Sequence, residues 1–192
     1  EANPTLALSQ IVTLTGLDKS AAQRFSHTLC ELGILRKDPE SKRLELTAKT
    51  LDLGYRFTRT NAFVKRALPY LLHLSKETEE TVNLTILDEK DIVFVARFLS
   101  RHVLNTDVTI GKRMPAYCTA PGRAILAALP RDSEVEILKQ SSLRAYTPRT
   151  IHRMSAIIAE LDATAERGYA TAFEEVFAGD ASVAAAVVDS AG

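Results

Sequence analysis

Apolar and polar positions along the chain alternate first with a helical period and later with an extended one. Leu8, Ile11, Val12 and Thr15 fall at i, i+3, i+4 and i+7 and predict a first helix. Gly16 ends it, since a glycine readily takes the positive φ that closes a helix. Asp18 can cap a second helix running to about Leu32, its carboxylate accepting from the free N–H groups of the first turn. On that helix Ala21, Ala22, Phe25, Leu29 and Leu32 fall on one side. Lys19, Ser20, Gln23 and His27 project from the other, with Arg24 on the flank. Two short extended runs, Leu35-Arg36-Lys37-Asp38 and Arg43-Leu44-Glu45-Leu46, then bracket the turn cluster Pro39-Glu40-Ser41-Lys42.

Thr47 can cap a further helix, Ala48 to about Phe57, with Leu51 and Tyr55 at i and i+4. The polar run Thr58-Arg59-Thr60-Asn61 marks a boundary. Phe63, Val64, Ala67, Leu68, Leu71 and Leu72 then carry a helical period to about Lys76, and Pro69 within it predicts a kink or restart. From Thr81 the period changes. Thr81 to Leu87 and Ile92 to Phe98 predict an antiparallel pair turning at Asp88-Glu89-Lys90-Asp91, and Val103 to Ile110 a third strand. Gly111 to Pro115 reads as a loop, and Thr119 to Leu129 as an Ala-rich helix stopped by Pro130. Helices at Asp132–Lys139 and Thr150–Arg167 follow, and Gly168 to Thr171 and Ser182 to Asp189 supply the last strands. Strands in a meander with helices on one face make this half an α+β sensor-type domain with an antiparallel sheet.

Two short helices joined at a glycine, the second bearing short polar and basic side chains, describe a DNA-reading helix-turn-helix. Gln23 can read adenine bidentately and Ser20 can meet a base edge, while Lys19 and Arg24 suit phosphates and His27 shares their face. The plain alternative is an αα-hairpin with a solvated face. The hairpin that follows weighs against it, because a basic two-stranded wing directly after the second helix, with Lys42 and Arg43 at its tip, is placed to touch the backbone or minor groove.

Charge refines this picture only slightly. Residues 1–60 hold nine Lys/Arg and seven Asp/Glu, and the remaining residues fifteen and seventeen, so the first part is mildly basic in a chain of zero net charge. No apolar run approaches the ~18 residues needed to span a bilayer. Cys30 and Cys118 stand far apart without metal spacing, so they read as free thiols of a cytoplasmic protein rather than a disulfide or metal site. No motif asks for a metal or a cofactor. The chain enters almost directly at the first helix of the hairpin and stops at Ser190-Ala191-Gly192, so an N-terminal helix and a C-terminal strand are expected beyond it. The expected division is a DNA-binding domain over 1–57, a linker helix over 58–78 and an effector-binding domain over 79–192.

Together these pieces resemble the IclR family of bacterial transcriptional regulators, from LSQIVTLTGLDKSAAQRFSHTLCELGILRKD to GYATAFEEVFAGDASVAAAVVD. The most specific segment is Gly111 to Leu129, GKRMPAYCTAPGRAILAAL, with its Gly-Arg-Ala on an Ala-rich helix. The stretch RMPAYCTAPGRAILAALP is most similar to the subgroup that senses aromatic acids of the β-ketoadipate and related routes. The resemblance implies a winged helix-turn-helix, assembly as a homodimer or homotetramer on operator DNA, and a C-terminal GAF/profilin-like domain binding a small organic acid. Carried over by position, the effector pocket includes Tyr117, Thr119, Ala120, Pro121 and, from the late strand, Ser182. Leu84, Ile86 and Phe94 are candidates for an apolar wall, on strand faces that alternation leaves open.

A helix N-terminus near Thr119 agrees with that placement, because its free N–H groups and positive dipole end suit a carboxylate. The alternative is that Thr119 only caps its helix and Ser182 only packs in the sheet. Glu174 and Glu175 match the family's acidic pair, with either a functional or a structural role open. The chain departs from the family where many members place an Asp before that pair. Here the residues are Thr171-Ala172-Phe173, and Phe173 favours a larger or more apolar acid, such as an aromatic one. Many members also carry Cys where this chain has Ser182, and an aromatic where it has Leu44.

Two other classes compete. One is an enzyme acting on an aromatic or carbonyl compound, against which the chain offers no HExxH, GxSxG, Walker A or GxGxxG, and scatters His27, His73, His102 and His152 over separate elements. The other is a ligand sensor that does not bind DNA, against which stands the polar face of the second helix.

Overall fold

The structure is a computed structural model that describes residues 5–101 and 108–188. It forms two compact units, 1–61 and 62–192. In the first, α1 (Leu8–Thr15) ends at Gly16, whose φ is 69° and whose N–H donates to the Val12 carbonyl at 3.0 Å. Asp18 caps α2 (Lys19–Glu31), its Oδ1 accepting from the Ala21 N–H at 2.9 Å. The stop at Gly16 and the cap at Asp18 therefore both act as the sequence implies. The buried side of α2 differs, being Ala21, Ala22 and Ser26, while Phe25 is 60% exposed. Small side chains let an element pack close against the helix, and the larger Phe25 stays on the surface.

The wing is β1 (Leu35–Lys37) antiparallel to β2 (Leu44–Leu46), with Arg36 opposite Glu45 and the two side chains ion-paired. Its turn is built by Asp38, whose Oδ1 accepts from the Ser41 N–H at 2.7 Å, the Ser41 hydroxyl at 2.7 Å and the Glu40 N–H at 3.1 Å. These bonds, that from the Ser41 N–H first, hold its carboxyl below the ordinary range. On the far edge of β2, Leu6 pairs with Leu44 in both directions at 2.8 Å, and Leu44 is buried. Thr47 bonds the Lys49 N–H ahead of α3 (Thr50–Thr60), which runs three residues past the expected end.

The second unit opens with α4 (Ala62–Thr78), a single helix through Pro69 rather than a restarted one. Lys65 and Pro69 are both exposed, so the carbonyl that the proline leaves without a donor lies on the solvent side. Val64, Ala67 and Leu71 pack on a sheet formed by β3 (Val82–Asp88), β4 (Asp91–Phe98) and β5 (Arg113–Pro115), in that order. Ala67 and Leu71 of the apolar stripe thus pack inside the unit, while Phe63 is 39% exposed.

Strand β5 lies in the stretch expected to be a loop. It is three residues long and ends in proline, so it carries no alternation to read. The third expected strand, Val103 to Ile110, falls mostly outside the described residues, as does His102; Val108 and Thr109 belong to no element and Ile110 lies in a turn.

Helices cover both faces of this sheet, not one. Ile92, Phe94 and Met114 face a core with Leu126, Leu138, Ile157 and Leu161, contributed by α5 (Ala120–Ala127), α6 (Arg131–Gln140) and α7 (Met154–Arg167). A strand buried on both sides reads as the continuous apolar run Ile92 to Ala96 rather than as alternation. A register shift at Leu84/Thr85 brings Val95 and Ala96, adjacent in sequence, to the same side against α4. Helix α7 starts at Met154, not at Thr150, because the Thr150 hydroxyl is tied outside the helix to the Glu175 carbonyl at 2.5 Å. The ribbon of β6 (Ala170–Phe173) and β7 (Ala181–Ala184) lays Ala170, Ala172 and Ala184 against Ala120 and Ala124 of α5.

Candidate nucleic-acid interface and effector site

Helix α2 presents Lys19, Ser20, Gln23, Arg24 and His27, all exposed, opposite the Ala21, Ala22 and Ser26 that pack inward. The cap at Asp18 starts the helix so that Lys19 and Ser20, its first two residues, lie on the surface. On the wing, Lys42 sits at φ 56° with its ammonium on the Pro39 carbonyl at 2.6 Å. Arg43 is otherwise engaged. Its guanidinium donates to the Thr5 hydroxyl at 2.8 Å, the Thr5 carbonyl at 2.8 Å and Gln10 Oε1 at 3.0 Å, so it pins the chain start to the wing.

The start of α5 is built by close approach. A 3-10 turn, Ala116–Cys118, leads into Thr119, the N-cap, whose Oγ1 accepts from the Gly122 N–H at 3.3 Å and donates to the Pro115 carbonyl at 3.0 Å. Tyr117 is buried, and its hydroxyl donates to the Arg144 carbonyl at 2.5 Å and accepts from the Arg144 N–H at 3.0 Å. Burial pushes that phenol well above its ordinary pKa, and pushes the neighbouring Cys118 thiol up to about 12, which leaves it inert.

Arg123, 1% exposed, forms the centre of this region. Its Nη1 and Nη2 donate to the two oxygens of Glu175 at 2.5 and 2.6 Å, and its Nε donates to the Tyr117 carbonyl at 2.9 Å. Glu175 Oε2 also accepts from the Ile151 N–H at 2.8 Å.

A profile of the bacterial transcriptional regulator IclR C-terminal domain matches residues 57–192, and one of the IclR helix-turn-helix domain matches residues 1–39. The chain belongs to the IclR family. It is 31% identical over 188 residues to the Pca regulon regulatory protein of Pseudomonas putida, covering 97% of this chain and 64% of that protein. To the HTH-type transcriptional regulator KdgR of Escherichia coli it is 32% identical over 187 residues, covering 97% and 71%. An IclR transcriptional regulator from Alicyclobacillus acidocaldarius has the same fold, with TM-score 0.80 at 26% identity over 98% of this chain and 76% of that one. The chain therefore spans roughly two thirds of the length of these curated relatives. Members of the family are transcriptional regulators and not enzymes, with helices and antiparallel sheets as found here.

Within this IclR fold the residues named for the effector pocket do not all meet. Thr119, Ala120 and Pro121 form the first turn of α5, and Ser182, opposite Ala172, lies on the ribbon face turned to that helix. Phe173 pairs with Ala181 on the other face and is 57% exposed. Leu84 and Ile86 face α4, whereas Phe94 faces the core that holds Tyr117, so these three cannot line one wall.

Of the acidic pair, Glu175 serves the buried ion pair. Glu174, at φ 54°, accepts from the Gly179 N–H at 2.9 Å and pairs with Arg149 at 2.8 Å on the surface. The Arg123–Glu175 pair was visible in sequence only as two separate motifs, Gly-Arg-Ala and Glu-Glu. Thr119→Val is expected to cost about 0.5–2 kcal/mol of stability by uncapping α5. Urea unfolding followed by circular dichroism measures it, and an unchanged midpoint would show that the cap adds nothing.

Proposed function

We propose that this chain carries the DNA-binding and effector-binding units of a transcriptional regulator whose operator binding is controlled by a small organic acid. Helix α2 lies in the major groove, with Gln23 and Ser20 at base edges and Lys19, Arg24 and His27 toward phosphates. Lys42 touches the backbone from the wing. Arg43, engaged with Thr5 and Gln10, orients the wing instead of contacting DNA. The observation that carries the reading is the exposed polar face of a capped second helix, followed directly by a two-stranded wing.

The acid is received near the first turn of α5, where the positive end of the helix dipole meets the ribbon face bearing Ser182. Similarity, at 29% identity, to the p-hydroxybenzoate hydroxylase transcriptional activator of Acinetobacter baylyi favours an aromatic acid. The working form is a cytoplasmic homodimer or homotetramer that presents two α2 helices to half-sites one or more helical turns apart.

Footprinting on operator variants tests the DNA half. Gln23→Ala is expected to relax sequence preference by about 1–3 kcal/mol at one base position. Arg24→Ala and Lys19→Ala are expected to weaken binding on all sequences alike and to flatten the salt dependence. Equal losses on specific and random DNA for Gln23→Ala would remove that residue from base readout.

A further inference from the structure

Away from the start of α5, a cleft of about 190 Å³ opens between the β3–β4 turn and the segment after α6. That is room for about six waters, hence for a short-chain or single-ring molecule and not for a nucleotide. Two cations line it, Lys90 and Arg144, and neither forms an ion pair with an acid among the described residues. The one carboxylate in the lining, Asp91, faces the Arg113 guanidinium at 3.5 Å, so its charge is already countered.

Arg144 is held at both ends. Its backbone N–H and carbonyl are both bonded to the buried Tyr117 hydroxyl, and its guanidinium stacks on the Tyr146 ring at 4.5 Å. Arg144 is exposed, so its guanidinium remains open to a ligand while its backbone is fixed. A guanidinium fixed in place loses less freedom on binding, and its planar fork matches two oxygens of one group.

We infer that this cleft binds a small carboxylate, its two oxygens on the Arg144 fork and the Lys90 ammonium and its apolar body along Tyr146 and Pro115. With two cations, one countered carboxylate and apolar walls, a monoanion with some apolar surface fits better than a bare dianion. The cleft shares only Tyr117 with the effector residues named above, and it stands independently of the DNA-binding reading.

The full chain labelled with ¹⁵N is titrated with sodium benzoate and, separately, with inorganic phosphate. Benzoate is expected to move the amides of Lys90, Asp91, Ser142 and Arg144 along saturating curves. Arg144→Gln and Lys90→Gln are each expected to weaken it about tenfold, the share of one charge-assisted hydrogen bond. Arg144→Gln keeps both backbone bonds to Tyr117, so its spectrum stays folded. Shifts that rise linearly without saturating, shifts confined to the first turn of α5, or an affinity unchanged in both variants would each overturn the inference. Phosphate binding as tightly as benzoate would overturn the carboxylate class.

Discussion

Gly122→Ala is expected to destabilise the second unit by more than about 3 kcal/mol, beyond the usual range for overpacking. In most helices the same change is favourable by about 1 kcal/mol, because alanine orders more cheaply than glycine. Here a Cβ would sit 2.2 Å from the Ala116 carbonyl oxygen and 2.3 Å from its Cα. Those atoms are backbone in a fully buried turn, so no side chain can swing away to relieve the contact. Either the turn Ala116–Cys118 moves, dragging Tyr117 and Cys118 out of the core, or α5 lifts from it. Urea unfolding with tertiary fluorescence of the tyrosines would register the loss. A variant as stable as the parent would mean that the turn and helix do not approach this closely.

Glu175→Ala is expected to cost about 3–5 kcal/mol, because it strands a buried guanidinium. Arg123 would keep its bonds to the Tyr117 and Thr171 carbonyls, which offer partial charge but no counter-ion. The Ile151 N–H would lose its acceptor as well. Replacing both partners with apolar residues, as Arg123→Met with Glu175→Leu, is expected to recover more than half of the loss, since most of it is the desolvation of one unpaired charge. Unfolding free energies of the two single variants and the double variant form a cycle that reads the coupling directly. A cost under about 1 kcal/mol for Glu175→Ala would place the pair in the class of hydrated surface bridges.

How far the chain can be read in advance depends on the range of the forces involved. Gly16 and Asp18 work through bonds to residues three or four positions away, and both were legible. The wing turn was legible for the same reason, with Asp38 bonded to Glu40 and Ser41. Phe25 was not, because periodicity names the apolar residues of a helix face but not which of them the packing buries. The opposed faces of Leu84 and Phe94 hinge on a bulge that shifts alternation by one residue. In the effector region, Ser182 and Phe173 lie on opposite faces of one ribbon, which a motif read in one dimension cannot show. The two carboxylates Glu174 and Glu175 look equivalent in sequence, yet one is sealed beneath α5 and the other lies near the surface.

The Arg123–Glu175 bond spans 52 residues, and this sets a timetable for the nascent chain. A ribosome adding about 5–20 residues each second leaves Arg123 waiting roughly 3 to 10 s before its carboxylate is even synthesised. Through that interval the guanidinium keeps its water, and α5 cannot settle onto the core without burying a lone charge. The settled position of α5 thus needs a carboxylate that the β6–β7 turn supplies, 52 residues further along the chain.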